Sequence, residues 1–228
     1  MVCHDGSPGE HRNDVSCAGA RGMDAKKKTS VAREQDPEER ATWRAAAIDL
    51  NSERLVFLDE TSTPTTLTPL QARAPRGQRA IGIAPVGRRE QVSLLATLTP
   101  NGFGAALSLP GAINRSAFDS FIIKMLIPTL HHGQIVVCDN LPVHKSARAR
   151  EALEEAGCSL RYLPRYSPDF NPIEQAFAKL KQNLRRARAR TIDTVIDATG
   201  VAMTTVTAQD ARGFFADAGF PLPPSQNL

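Results

Sequence analysis

The sequence has few cysteines and no long apolar run, and these two scarcities exclude several classes of protein. Its four cysteines form no C-x-x-C pair and have no histidine at zinc spacing, so neither a zinc site nor a disulfide scaffold is indicated. No stretch approaches the roughly 18 apolar residues of a membrane span, and the N-terminus lacks the apolar core of a signal peptide. We therefore expect a soluble, cytoplasmic protein with no membrane partner.

The first part of the chain also lacks apolar periodicity. Residues 1–35 combine glycine, serine, histidine and charged residues, including three consecutive lysines, and they offer little apolar surface to bury. Such a segment cannot offset the entropy lost on ordering, so we predict that residues 1–35 are disordered or partly docked. The chain has 228 residues and is 41% hydrophobic, which suffices for one core. We place one folded domain at residues 36–220 and a proline-rich tail at 221–228.

The apolar pattern predicts strands first and then alternating helices and strands. The predicted strands are Arg54–Asp59, Arg79–Pro85, Gln91–Thr99, Gly104–Leu109, Gln134–Cys138 and Ser159–Leu163. The predicted helices are 37–47, a core helix around Phe118–Leu126, 145–156, one beginning at Pro172, 191–206 and 208–219. Antiparallel strands followed by helices that alternate with parallel strands indicate an α/β fold. We expect a mixed sheet flanked by helices on both faces.

Three carboxylates stand where such a fold can bring them together. Asp59 and Asp139 each end an apolar strand-like run, and Glu174 follows Asp139 by 35 positions (174 − 139) in the first turn of a helix. Asn171 as N-cap and Pro172 at the first helical position begin that helix. Taken singly, each acid is more often a cap or a surface residue. Together, the three favour a site for divalent cations that cuts phosphodiester bonds.

Positive charge is concentrated beside the third acid. The segment Arg165–Arg190 carries seven Lys or Arg residues against two acids, a local charge of +5, which favours a polyanion as partner. Helical projection places Lys181 and Arg185 on the face of Glu174, so this face could hold a phosphate backbone near the metal site. Cations that complement the negative end of the helix dipole explain the same residues and can coexist with that use.

Four motifs taken together resemble the DDE transposases of bacterial insertion sequences, namely the insertion-sequence-630 family of the mariner superfamily. The motifs are Leu58–Thr61, Ala74–Arg79, Asp139–Lys145 and Ser167–Glu174, and the resemblance covers roughly Lys27–Phe220. It implies a ribonuclease-H-like DDE catalytic domain that uses two Mg²⁺ or Mn²⁺ ions. It also implies cleavage of transposon ends, strand transfer into target DNA, a homodimer in the active complex and a place in the bacterial nucleoid.

The same resemblance assigns roles residue by residue. Asp59, Asp139 and Glu174 are the expected catalytic residues and metal ligands. Asn140 and His144 stand beside them, where orienting substrate or water and simple capping or packing are both open.

The expected DNA contacts come from four basic residues. The chain also departs from the family pattern in two places. The four basic residues are Arg76, Arg79, Lys181 and Arg185. Arg165 stands where family members commonly have a second proline, a change that leaves the metal ligands untouched. Residues 1–53 offer no helix-turn-helix pair, so we expect an upstream segment to supply end recognition, or else a truncated copy.

Two other functions remain open at this stage. A catalytically silent remnant would bind DNA non-specifically through the basic segment and cut nothing. A phosphatase with Asp59 as nucleophile would need a second acid two positions further on, where this chain has Thr61.

Overall fold

The computed structural model describes residues 33–82, 85 and 90–223. Most of the segment predicted to be disordered or partly docked (1–35) and most of the predicted tail (221–228) lie outside the described residues, at 1–32 and 224–228. No helix in the described ranges is long and apolar enough to cross a membrane.

One five-stranded mixed sheet organises the described part of the chain. Its strands are β1 (Leu55–Pro64), β2 (Gln91–Thr99), β3 (Gly102–Pro110), β4 (Ile135–Cys138) and β5 (Ser159–Tyr162), in the order β3-β2-β1-β4-β5. The pairs β1–β2 and β2–β3 are antiparallel, whereas β1–β4 and β4–β5 are parallel. The predicted mixed sheet is confirmed, and β4 lies in its interior.

Two details of the strand prediction are wrong. Residues 79–82 and 85 form no strand, because β1 pairs directly with β2 and leaves no place between them; residues 79–82 are exposed instead. Residues 83 and 84 lie outside the described ranges. The strand that carries Asp59 does not end there, since β1 continues to Pro64 along β2.

Helices cover both faces of the sheet, as predicted. They are α1 (Pro37–Ile48), α2 (Arg115–Phe121), α3 (Ala147–Glu155), α4 (Pro172–Ala187), α5 (Ile192–Met203) and α6 (Ala208–Asp217). Helix α2 runs on into a π-helical turn at Ile122–Leu126. Strand side chains alternate between the faces. Phe57 and Val137 join one core with α4, α5 and α6, and Leu58 and Cys138 join the other with α2 and α3.

The helix that carries Glu174 is held by its apolar stripe. Its buried side chains include the four that the sequence pattern predicts: Ile173, Phe177, Leu180 and Leu184. At the other end of the chain, Asp36 caps α1 by accepting hydrogen bonds from the backbone N–H groups of Glu38 and Glu39. Trp43 of α1 packs against the core under α4. Both helices are therefore fixed to the same face of the sheet.

Candidate active site

The pairing of β1 with β4 brings the first two acids together. The parallel register aligns Leu55 with Ile135 and continues to Leu58 with Cys138. The next residues along the two strands are Asp59 and Asp139. Because side chains alternate along a strand, Asp59 lies on the same face as Phe57, which is the face that α4 covers.

Glu174 reaches the same place from α4. It is exposed in the first turn of that helix, and it lines one cavity of about 430 Å³ together with Asp59 and Asp139. The other polar side chains of this cavity are those of Asn140, Lys145, Arg165, Tyr166, Ser167 and Asn171. The structure thus places the three predicted acids around a single cavity.

Asp59 is the most buried of the three acids, with 6% of its surface exposed. Its Oδ1 accepts a hydrogen bond from the backbone N–H of Glu60 at 2.7 Å. Burial, followed by the negative charge of Asp139 and more weakly that of Glu174, raises the pKa of Asp59 to about 7. The mutual repulsion of these carboxylates therefore works against ionisation of Asp59.

Asn171 is a site residue that the sequence pattern did not reveal. We expected its side chain to cap α4, but it makes no capping bond. Its Nδ2 instead donates to Asp59 Oδ2 at 2.7 Å, while its Oδ1 is buried without a partner in the described structure. Asparagine before proline is typical of any helix start, so only the fold shows that it points at Asp59. No signal in the sequence distinguishes the two uses.

Asp139 is held by its own loop. Its Oδ1 accepts hydrogen bonds from the backbone N–H of Leu141 at 3.2 Å and from Nδ1 of His144. His144 is fully buried, stacks on Phe118 at 4.8 Å between ring centroids and does not line the cavity. Burial lowers the pKa of His144, but the hydrogen bond to Asp139 and its charge outweigh burial, so the net shift is upward. Of the pair Asn140 and His144, only Asn140 lines the cavity.

The donor atoms fit a hard divalent cation that also keeps water or substrate ligands. No group of three or more His, Cys, Asp or Glu side chains among the described residues is placed to hold a metal ion. Mg²⁺, however, commonly takes one or two protein carboxylates and completes its shell with water and phosphate oxygens. A bound cation would offset the burial and the repulsion by Asp139 that together raise the pKa of Asp59. The residues present therefore suit such an ion.

The four basic residues expected to contact DNA lie outside the cavity. Lys181 and Arg185 are half-buried on the Glu174 side of α4, about 10 and 16 Å further along the helix axis. Arg76 and Arg79 lie in the exposed loop that follows β1. A hydrogen bond from Gln78 N to Pro75 O closes the turn there, and Gly77 adopts a φ of 83° that only glycine takes readily. A tight turn therefore separates Arg76 from Arg79.

Comparison with known proteins adds a family match. A family model for DDE superfamily endonucleases matches residues 54–196, which include all three acids and Asn171. No curated protein matches the chain. Among solved structures, the chain resembles the Mos1 strand transfer complex with a TM-score of 0.65 at 19% identity, over 87% of this chain and 64% of that one.

Two further Mos1 structures are similar. The Mos1 mariner paired end complex with Mn gives a TM-score of 0.68 at 20% identity, over 86% of this chain and 64% of that one. The Mos1 transposase catalytic domain with Raltegravir and Mg gives a TM-score of 0.62 at 17% identity, over 84% of this chain and 92% of that one. These likenesses confirm the ribonuclease-H-like fold. The chain spans slightly less than two thirds of the Mos1 chains in the first two complexes.

The Asp59 carboxyl predicts how stability depends on pH when divalent cations are chelated. Its folded pKa lies above its unfolded value, so folding favours the protonated form, and stability falls as pH rises from about 4 through about 7. Asp59→Asn should remove this part of the loss and flatten the curve. Urea unfolding of both proteins at pH 4.5 to 8 with a chelator measures the difference. An identical pH slope in the two proteins contradicts this account of Asp59.

Proposed function

Because the chain belongs to the DDE superfamily of endonucleases, we propose that it is a transposase catalytic domain that cleaves transposon ends and joins them to target DNA. The observation that carries the proposal is the single cavity lined by Asp59, Asp139 and Glu174 at the edge where β1 and β4 run parallel. We assign these three residues as the metal ligands and catalytic residues. Similar structures are described as Mos1 transposase catalytic domain and Raltegravir with Mg and with Mn, which supports Mg²⁺ or Mn²⁺ as cofactor. Two ions per site are part of the proposal.

The hydrogen bonds around the acids determine which oxygens remain for metal ions. His144 and Leu141 engage Oδ1 of Asp139, and Oδ2 carries no hydrogen bond within the described residues. Glu174 also has no side-chain partner in that part of the chain. Asn171 fixes Oδ2 of Asp59, so its orientation is set before any ligand binds. Two bound divalent cations would activate a water molecule or a DNA 3′-hydroxyl and stabilise the leaving oxygen of an in-line displacement.

The substrate class follows from the charge around the site. Lys145 and Arg165 line the cavity, and Lys181 and Arg185 continue the positive charge along α4 on the Glu174 side. These cations can therefore neutralise phosphates of a DNA strand whose scissile phosphate lies at the acids. Arg76 and Arg79, in their exposed loop, are proposed to contact the DNA backbone further away.

The finer parts of the proposal concern context. We assign the chain to bacterial insertion sequences of the 630 family, acting at the nucleoid as a homodimer, with a helix-turn-helix portion supplied from upstream. The Mos1 structures that resemble this fold are described as a strand transfer complex and paired end complexes, which supports assembly on two DNA ends.

Loss of one acid tests the proposed chemistry. Asp139→Asn should lower Mg²⁺-dependent nicking of duplex DNA at least about 100-fold, since an amide cannot replace a charged metal ligand and about 3 kcal/mol of barrier stabilisation is lost. Asp193→Asn, an exposed acid in the first turn of α5, serves as the matched control and should retain nicking. Nicking that persists in pure Asp139→Asn protein rules the proposed chemistry out. DNA binding without cleavage under Mg²⁺ or Mn²⁺ in the wild type would favour the silent remnant.

The basic face of α4 can be tested separately by its salt dependence. Replacing Lys181 and Arg185 together by alanine should weaken DNA binding and reduce the slope of log K against log salt by roughly 2, because two phosphate contacts are lost. Lys124→Ala with Arg148→Ala removes two exposed charges from elements on the opposite sheet face and should leave the slope unchanged. Fluorescence anisotropy across 50 to 300 mM salt distinguishes the two pairs. Equal slopes would place the DNA elsewhere.

A further inference from the structure

We propose that α1 is a positioning element of the active site, and that Arg40 acts through the loop 164–171 to hold Asp59 and Glu174 in place. Helix α1 covers Pro37–Ile48 and precedes the family match, which begins at residue 54. The inference rests on the proposed function, because it concerns the same metal site. It adds a residue that neither the motifs nor the family match assigns.

Arg40 binds the loop with both terminal nitrogens of its guanidinium group. Nη1 donates to Ser167 Oγ at 2.7 Å and to Asp169 Oδ1 at 2.9 Å, and Nη2 donates to Asp169 Oδ2 at 2.6 Å. The guanidinium also lies 4.2 Å from the centroid of the Phe170 ring. Its side chain is only 13% exposed. These contacts fix three of four consecutive loop residues, and a bidentate pair fixes orientation as well as distance.

A second contact from the same end of the chain holds the loop at a strained position. Gln35, just before the N-cap of α1, donates from Nε2 to the backbone carbonyl of Tyr166 at 2.7 Å. Tyr166 has a φ of 54°, a left-handed conformation that is costly for a residue with a side chain. Such a conformation persists where neighbouring contacts determine it. The segment 35–40 contacts Tyr166 itself and three of the four residues that follow it.

The loop transmits this anchoring to the acids through a short run of hydrogen bonds. Phe170 N donates to Ser167 O at 3.1 Å, and Asn171 N donates to Pro168 O at 3.0 Å, which closes a 3₁₀ turn. Asn171 then contacts Asp59 through its side chain at 2.7 Å, and its carbonyl accepts from Glu174 N at 3.2 Å. Phe170, which Arg40 contacts, is thus the neighbour of Asn171. Asn171 in turn contacts the side chain of Asp59 and the backbone of Glu174.

The role of this anchoring is geometric. The side chain of Asp169 is 52% exposed. An ion pair with so exposed a partner contributes little to stability by itself. The guanidinium of Arg40 is nevertheless largely shielded and engages three side chains at once. Residues that touch a metal ligand directly, as Asn171 touches Asp59, commonly change metal affinity 10- to 100-fold when they are removed. Arg40 acts on Asn171 through the loop, so the low end of that range is expected for it. Arg40 should therefore influence metal affinity more strongly than folding.

The test compares two arginines that each form one ion pair. Arg40→Met removes the anchoring, and Arg212→Met removes the pair of Arg212 with Glu53 at 2.9 Å, which is remote from the cavity. The Mg²⁺ concentration that gives half of the maximal rise in melting temperature is measured for the wild type and both variants, with nicking assayed in parallel. Arg40→Lys, which keeps the charge without the planar fork, is the milder variant if Arg40→Met folds poorly. Asp169→Asn completes a double-mutant cycle with Arg40→Met.

The expected result is a half-saturating Mg²⁺ concentration about 10-fold higher in Arg40→Met, a smaller rise in Arg40→Lys and a change below twofold in Arg212→Met. Asp169→Asn should add less to Arg40→Met than to the wild type. A lower melting temperature with unchanged Mg²⁺ dependence overturns the inference. If no divalent cation stabilises the wild type, the proposed metal site fails instead. Hydrogen exchange of amides 166–171 then decides the anchoring, because unchanged exchange in Arg40→Met overturns it.

Discussion

The parallel pairing of β1 with β4 is the constraint on which the rest of the site depends. It ends at Leu58 and Cys138, so two aspartates follow side by side at the edge of a buried sheet. Their proximity carries a cost, since burial and repulsion by Asp139 raise the pKa of Asp59 to about 7. A protein of marginal stability retains such a pair at the expense of its folding free energy. The proposed divalent cations explain why the protein retains the pair despite this loss of folding free energy, because they bind most strongly where carboxylates lie close together.

The remaining elements complete the cavity around this pair. The apolar stripe of α4 packs on the Phe57 face and directs Glu174 to the same edge. Asn171 orients Asp59 and lines the cavity, whereas His144 orients Asp139 and is buried away from the cavity. Helix α1 lies across the loop that connects β5 to α4. The proposed active site is therefore supported from the sheet, from α4 and from an N-terminal helix.

Local patterns in the sequence predicted much of this structure, and long-range pairing explains what they missed. The stripe from Ile173 to Leu184 and the strand at 91–99 follow from periodicity alone. Of the strand expected at 79–85, the described residues 79–82 and 85 pair with no strand, because β1 and β2 occupy each other's edges. The roles of Asn171 and Arg40 depend on partners 112 and 129 positions away. Neither residue stands in a pattern of spacing or residue type that links it to its partner.

Direct binding of Mn²⁺ tests the central claim, which is that the three carboxylates form a metal site. The loss of the free Mn²⁺ signal in electron paramagnetic resonance can be titrated with wild-type protein, Asp139→Asn and Glu174→Gln. The account predicts saturable binding by the wild type, and affinity lower by at least about 10-fold in each variant, because each removes a charged oxygen ligand. Equal Mn²⁺ affinity in the wild type and in both variants would contradict the account.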